Sequence, residues 1–465
     1  MKETIIEKQI KKRDWELFAA QILPILFFIL LWLMMPVRTY NDSDQYLKMH
    51  IHREPLYPLF LWILRLFLEL EASLKAASFL QNALAAFSVI YMVRTLNRVF
   101  PMKKGTKLLT ALLYLAPHVI TPVFAATHLV LTCGIMSESI GLPLFYLFQA
   151  QCLRMFFIPK KKTAAAALVL ALLLALTRGQ MMTAILVWAI VAGIVFVRRQ
   201  KSFDLRRTLV TAAVICAAVL TAFGARTLFV RSYNAAFNGA FINNTYGGVG
   251  LLANVLYAAD PEDAALIADE EARYLFELSY AQAMEQGATY AHASEGLMNR
   301  AAHLEEWHDT IKFTMIEQTW RDYHDVVGPF EYIHENQEAD RIAMIVVKSI
   351  LPACLGTWIY DYLALSVYGL LRSVAVVHPL LNWVGAAAYL AAAICVFFSF
   401  QRNRNTKAGW ILLFGVLCVL ANVYATSLMI MCLSRYMIYG LPMFYTGILL
   451  AFTEGMEQFK VWKKR

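Results

Sequence analysis

One pattern recurs along this chain and limits it more than any other feature: runs of about twenty apolar side chains with almost no charge, each followed by a polar stretch. A run of that length crosses the hydrocarbon core of a bilayer as a helix. Lipid offers its backbone no hydrogen-bond partners, so every N–H and C=O must be satisfied within the segment. Ten runs qualify, at residues 16–36, 73–93, 108–127, 134–153, 163–177, 180–197, 208–230, 378–400, 408–430 and 436–454. With 59% hydrophobic and only 16% charged residues, the chain is too apolar for a soluble domain of its length. The expected class is an all-α polytopic membrane protein. The first run follows the basic flank IIEKQIKKRDW, which has no small-residue cleavage site, so it reads as a retained span.

Lys and Arg mark cytoplasmic loops. Here they cluster at 8–13, 94–107, 154–162, 198–207, 402–407 and 460–465, all on one side if the ten spans are right. The N-terminus is then cytoplasmic. The opposite side receives 37–72, the turns near 127–133 and 177–180, the long segment 231–377 and the turn at 431–435. Of 33 acids and 42 bases, 19 and 6 fall within 231–342, so 14 acids and 36 bases remain elsewhere. The basic balance is therefore a topology signal. No basic stripe interleaved with aromatics occurs on the outer face, so no nucleic-acid partner is expected.

Inside the long segment, Asp260-Pro261-Glu262-Asp263 has the N-cap acid, first-position Pro and acidic first turn of a helix start, and Gly287 can end that helix. A second helix is expected over 290–324, stopped near Gly328-Pro329, and a third, apolar one over 339–371. The third is long enough to cross, but a single crossing would put the later basic loops on the wrong side. It is expected at the outer surface, half sunk in the interface, with a double crossing as the alternative. Seven cysteines lie mostly inside spans, with Cys133 and Cys354 alone near the outer face, so no disulfide framework is expected. His303 and His308 flank Glu305-Glu306 at a spacing of five, on different helix faces, and read as surface residues.

The stretch RTYNDSDQYLKMHIHREPLYP, 38–58, concentrates three acids, five basic or imidazole side chains and three tyrosines between two apolar runs. Other charges fall at the same level. Glu138 lies in the first turn of a span, Arg178 sits at an outer turn, and Arg435-Tyr436 open the last span. Charges bordering apolar spans are costly and usually face a protein interior or a wet cavity.

The pattern Asp42-Ser43-x-x-Tyr46 followed by Arg53-x-Pro55-x-Tyr57-Pro58 resembles the first outer loop of the GT-C class of membrane glycosyltransferases, the mannosyltransferase and aminoarabinose-transferase-like superfamily. Ser137-Glu138, Thr177-Arg178 and Ser434-Arg435-Tyr436 with Pro442 are further matches in the same order. The resemblance covers most of the chain in architecture, although each motif is short. It implies a GT-C-like bundle of about ten transmembrane helices with extracytoplasmic loops and surface helices. It divides the chain into an N-terminal membrane module (1–230) with its catalytic first loop at 37–72, an extracytoplasmic helical segment (231–377) and C-terminal membrane helices (378–465).

By the same resemblance the protein resides in the plasma membrane with its site extracytoplasmic, and moves a sugar from a polyprenyl-phosphate donor to a glycan, lipid or protein acceptor. Asp42 matches the acid that acts on the acceptor, with Asp44 and Glu138 as further catalytic candidates. Arg53, Arg178, Arg435 and Tyr436 would hold the donor phosphate, with Tyr46 and Tyr57 beside them in the first loop. Asp42-x-Asp44 also resembles the paired acids that bind a divalent ion in some members. Such an ion would be magnesium or manganese, with His50 and His52 as added ligands. The chemistry stands on its own terms: a base activates the incoming hydroxyl and cations stabilise the departing phosphate, a role suited to the planar fork of arginine.

Plainer readings stay open. Asn41-Asp42-Ser43-Asp44 is also turn composition, Glu138 can merely pair with a neighbour, and Arg178 and Arg435 are placed like interfacial anchors. A transporter or flippase for an anionic lipid would use the same arginines, but it would also call for midplane ionisable residues and an inverted repeat, and neither stands out.

Overall fold

The computed structural model describes residues 14–124, 130–200, 202–245, 247–324, 333–378, 380–403 and 406–462. Among these the regular elements are helical, save a single bridge between Arg38 and Gly134. The α-helices run, in order, α1 Trp15–Met34, α2 Ser43–Leu47, α3 Leu56–Arg65, α4 Leu70–Val99, α5 Thr106–Phe124, α6 Glu138–Phe157, α7 Lys161–Ala175, α8 Thr183–Arg199 and α9 Leu205–Asn238. After these come α10 Gly247–Ala258, α11 Glu270–Glu285, α12 Leu297–Thr310, α13 Thr319–Tyr323, α14 Ile333–Val374, α15 Asn382–Arg402, α16 Lys407–Ser427, α17 Ser434–Met437 and α18 Leu441–Trp462. A π-helical stretch, Ile311–Gln318, joins α12 to α13.

Among the described residues nine helices are long and apolar enough to cross a membrane: Trp15–Met34, Leu70–Val99, Thr106–Val123, Glu138–Phe157, Gly179–Arg199, Leu205–Asn238, Gln337–Val374, Asn382–Gln401 and Lys407–Ser427. The chain is a multi-pass membrane protein. On α9, Leu209, Val210, Val214 and Leu220 are left exposed by the protein itself. In water such a face would be an aggregation hazard, whereas in lipid it is the expected surface. The two remaining expected spans differ from the plan: α7 has only 15 residues, and the last run starts at Leu441, after α17 and a break.

The contacts sort the loops between two ends of the bundle. At one end the ammonium of Lys107 pairs with Asp14 at 2.6 Å, Lys407 Nζ donates to the Val99 carbonyl at 3.0 Å, and Arg198 lies over the Phe156 and Trp410 rings. The described basic loops thus share one end. The basic run at 8–13, Arg404 and the last three residues lie outside the described residues. Capping fixes where these helices begin: the Asp14 and Asp204 side chains accept from Leu17 N and Arg207 N, and Thr406 Oγ1 accepts from Gly409 N.

At the opposite end, called the site end below, α14 lies along the bundle. It is a single helix of 42 residues, about 63 Å at 1.5 Å per residue. Near its start, Asp340 accepts from Val249 N on α10 at 3.0 Å. Further on, Tyr362 donates to the Tyr424 carbonyl, Ser366 meets Ser427 at 2.9 Å, and Arg372 donates to the Cys432 carbonyl at 2.9 Å. Tyr424 and Ser427 close α16 at the end remote from Lys407. Both halves of α14 therefore touch site-end elements.

The segment 231–377 departs from expectation in detail. Asp260 and Asp263 form a reciprocal cap on a 3-10 turn, Pro261–Leu266, while the α-helix starts nine residues later under Asp269, which accepts from Ala272 N. Pro261 fits either kind of turn, so the start signal was real but named the shorter element. The stretch expected as one helix over 290–324 is broken by Gly296 at φ 100° and contains the π-helical stretch. The stop expected at Gly328-Pro329 lies outside the described residues. All seven cysteines are free.

A cysteine introduced at Ser202, at the basic end, should be shielded from an impermeant thiol reagent in intact cells, whereas one at Ser232 should react. One at Leu380, just past α14, should behave as Ser232 does. Protection at Leu380 together with reaction at Ser232 would mean that α14 crosses.

Candidate functional site

The first loop folds against the start of α6. Ser43 Oγ accepts from Tyr40 N and donates to the Ile135 carbonyl, both at 2.7 Å. Arg38 N donates to Cys133 O at 3.0 Å and Ile135 N to Arg38 O at 2.9 Å. Gly134 is required here, because a Cβ would lie 2.8 Å from the Tyr40 ring. Tyr46 and Tyr57 are buried edge to face at 5.0 Å. The Tyr46 hydroxyl donates to Ser137 Oγ at 3.0 Å and that of Tyr57 to Gln81 Oε1 at 2.8 Å. Both tyrosines anchor the loop. Met49 holds a left-handed φ of 57°, a conformation costing about 1–2 kcal/mol, while its carbonyl accepts from Asn238 Nδ2.

Five charges converge behind this loop. Asp42 Oδ1 accepts from Arg53 Nη2 at 2.7 Å, and Arg53 Nε donates to Gln45 at 2.8 Å. Glu138, 3% exposed at the head of α6, accepts from Arg178 Nη1 at 2.7 Å. Ser137 donates to the other Glu138 oxygen at 3.2 Å and accepts from Arg178 at 3.1 Å. Arg435 stands between the two acids, 3.7 Å from Asp42 Oδ2 and 3.6 Å from Glu138 Oε1. Both separations exceed a hydrogen bond. Its Nε is buried with no hydrogen-bond partner among the described residues. The Tyr436 ring lies against both cations, 4.5 Å from the Arg178 guanidinium and 4.9 Å from that of Arg435, and its hydroxyl accepts from Arg435 at 2.9 Å. Burial opposes the Arg435 charge, but Tyr436, Glu138 and Asp42 more than offset it and hold its pKa above the ordinary value.

Three guanidiniums face two carboxylates, leaving one positive charge in excess and one loosely paired arginine fork. Such an arrangement has the donors to accept an anion.

Asp44 stands apart. It pairs with Lys48 at 3.0 Å, with side chains 66% and 57% exposed. This placement bears on the divalent ion, because Asp42 faces two guanidiniums while Asp44 points to solvent. Among the described residues no group of three or more His, Cys, Asp or Glu side chains could hold a metal. Asp42 and Asp44 thus pair with different cations, Arg53 and Lys48. His50 and His52 contact each other at 4.4 Å, and His52 Nδ1 meets Thr245 Oγ1 at 3.1 Å. Of the pair expected at the surface, His308 is instead 1% exposed, on the α12 face that also buries Ala301 and Leu304.

Two groups were missed. Glu54 is buried and paired with Arg226 of α9, tying the first loop to a membrane helix. Burial pushes its carboxyl up, while Arg226 pulls it back. A lone arginine inside the apolar run 208–230 was the available signal. The other is Lys312 of the π-helical stretch, which lies in the field of Arg53 and has no apolar run around it to betray it.

No protein-family model matches this sequence, and no curated protein does. Among solved structures the chain is similar to "Crystal Structure of ArnT from Cupriavidus metallidurans in the apo state", at 13% identity over 92% of this chain and 76% of that one, with a TM-score of 0.32. A superposition that loose fixes no chemistry for this chain.

Glu138→Ala should strand the Arg178 guanidinium, and Arg178→Ala the Glu138 carboxylate, each at a cost of about 3–5 kcal/mol read as loss of thermal stability in detergent. Arg435→Ala should cost far less, since its pairing is loose. Equal losses for all three would make Arg435 a structural member of the network.

Proposed function

We propose that this chain is a membrane glycosyltransferase of the GT-C type, which moves a sugar from a polyprenyl-phosphate carrier to an acceptor hydroxyl. The observation that carries this reading is Arg435, a half-buried cation whose Nε is buried without a hydrogen-bond partner among the described residues, in a cluster that holds one positive charge in excess. A phosphate group would complete its coordination. Arg53 and Arg178 would flank the same phosphate, with the Tyr436 ring between the guanidiniums of Arg178 and Arg435.

In the proposed reaction the acceptor oxygen forms a bond to the anomeric carbon on the face opposite the phosphate, inverting its configuration. The bond from that carbon to the phosphate oxygen breaks, and the electron pair leaves with the polyprenyl phosphate. The acceptor proton passes to Asp42. Arg53 holds that carboxylate in place at 2.7 Å. The arginines stabilise the charge arriving on the leaving group. Glu138 acts through Arg178 and Arg435 by fixing where their forks point.

The basic loops at one end of the bundle support placing the N-terminus in the cytoplasm and the site outside the plasma membrane. The polyprenyl tail would then enter from lipid and the acceptor from the aqueous side, under the segment 231–377. Incubating purified protein with radiolabelled polyprenyl-phosphate sugars and a membrane extract should yield labelled acceptor.

Asp42→Asn should lower single-turnover transfer by about two orders of magnitude or more, the worth of general-base catalysis, with donor binding little changed. Asp44→Asn should be close to silent with or without chelator, given its exposed pairing with Lys48. A silent Asp42→Asn beside an inactive Asp44→Asn would reverse the assignment.

Arg435→Lys keeps the charge but loses the fork, so donor binding should weaken less than in Arg435→Ala. Normal donor turnover by Arg435→Ala would remove the residue from the site.

A further inference from the structure

The helix that carries Arg435 and Tyr436, α17, is only four residues long. A single helical turn does not hold itself in place. Packing does not close around it on every side either. Ser434 and Ile438 line a cleft of about 320 Å³ whose other walls include Leu113 and Ile120 of α5 and Arg372 of α14. Where the Arg435 fork points therefore depends on what grips the backbone of this turn.

Two side chains grip it. From α16, Asn422 Nδ2 donates to the Tyr436 carbonyl at 2.6 Å, and a Cβ at Gly440 would lie 2.5 Å from Val419, so the far end of the turn sits tightly on the bundle. From α14, Arg372 Nη1 donates to the Cys432 carbonyl at 2.9 Å, just ahead of Arg435 in the chain. Cys432 is buried, and a Cβ at Gly369 of α14 would lie 2.9 Å from its sulfur.

Arg372 is itself held. Its Nη1 and Nη2 donate to the two oxygens of Glu305 on α12, at 2.5 and 3.0 Å, and its guanidinium lies 5.0 Å from the centre of the Tyr368 ring. Both side chains of the pair are largely buried, at 14% and 21% exposure. A bidentate pair fixes the plane of a guanidinium as well as its position. Glu305 therefore keeps the shared Nη1 aimed at the Cys432 carbonyl.

We infer that Glu305 and Arg372 are positioning residues for Arg435: Glu305 holds Arg372, Arg372 holds the Cys432 carbonyl, and the turn that follows presents the Arg435 fork. The inference rests on reading the site as one for a lipid phosphate. It makes segment 231–377 part of that site through backbone placement, without a contact to the ligand.

The test is binding of a purified polyprenyl monophosphate to the full-length protein in detergent, measured beside the unfolding temperature. Glu305→Gln keeps the size but leaves one oxygen to accept where two did. It should weaken binding by about tenfold, within the range for coupled residues. In an Arg435→Ala background no fork remains to be placed. There Glu305→Gln should weaken binding by less than about twofold, while lowering the unfolding temperature equally in both backgrounds. Arg372→Lys has a single ammonium that cannot hold both Glu305 oxygens and the carbonyl at once, so it should repeat the pattern.

Equal losses of binding with and without Arg435 would overturn the inference, as would unchanged binding by folded Glu305→Gln and Arg372→Lys. A wild type that does not bind the phosphate would overturn the phosphate reading itself, and this inference with it. Arg372→Lys keeps the test decisive should Glu305→Gln fail to fold. Arg435→Lys replaces Arg435→Ala if the latter binds too weakly to compare, and with the fork gone the loss from Glu305→Gln should still shrink by about threefold or more.

Discussion

Much of this structure follows from the cost of drawing five charges into the boundary of an apolar bundle, Glu138 and Arg178 nearly buried and Asp42, Arg53 and Arg435 half-buried. An ion taken from water costs several kcal/mol even after relaxation, so neither Glu138 nor Arg178 is easily buried alone. The five come from the first loop, the head of α6, the turn after α7 and the turn before α18. Burying any one well requires those four places to meet. The neutral contacts around them serve that meeting. Tyr46 and Ser137 tie the first loop to α6, Tyr57 and Gln81 tie it to α4, and Tyr436 fills the space between two guanidiniums.

The network is not closed, and its opening is where chemistry has room. Arg178 is matched by Glu138 and Ser137, and Arg53 by Asp42 and Gln45. Arg435 has two acids beyond hydrogen-bond reach and one hydroxyl. A cation held in place before its ligand arrives needs no reorganisation when charge develops on that ligand, which is how preorganised sites stabilise transition states. Glu138 belongs to the closed part of the network, held by Arg178 at 2.7 Å and by Ser137.

The parts legible in the sequence are those where contrast was high. A charge beside an apolar run is conspicuous, so Asp42, Glu138, Arg178 and Arg435 could be named, and the structure brings them together. Asp44, singled out as the second acid of the Asp42-x-Asp44 pair, points to solvent. Tyr46 and Tyr57 were placed in the right loop, but their hydroxyls turn to Ser137 and Gln81. Contrast vanishes in segment 231–377, where acids are common and no single charge stands out. Lys312 and Asp309 were therefore invisible there, and Asp260 could not be ranked against Asp269 as a helix start. The buried helix α10 opens with two glycines and runs only 12 residues, too short for a span and too poor in turn signals to be seen as a cap element.

The segment 231–377 buries its own apolar cluster, in which Val249, Leu256, Phe276, Met315 and Ile350 take part, apart from the larger cluster of the bundle. The two regions meet along α14. Its first half packs on α10, and its second half reaches Tyr424, Ser427 and the Cys432 carbonyl through polar contacts. The segment is tied to the bundle at other points too: Asn238 Nδ2 donates to the Met49 carbonyl at 3.1 Å, Thr245 Oγ1 lies 3.1 Å from His52 Nδ1, and a Cβ at Gly369 of α14 would lie 2.8 Å from Val423. Lys312 lies in that segment, whereas Arg53 and Arg435 belong to the loops of the bundle.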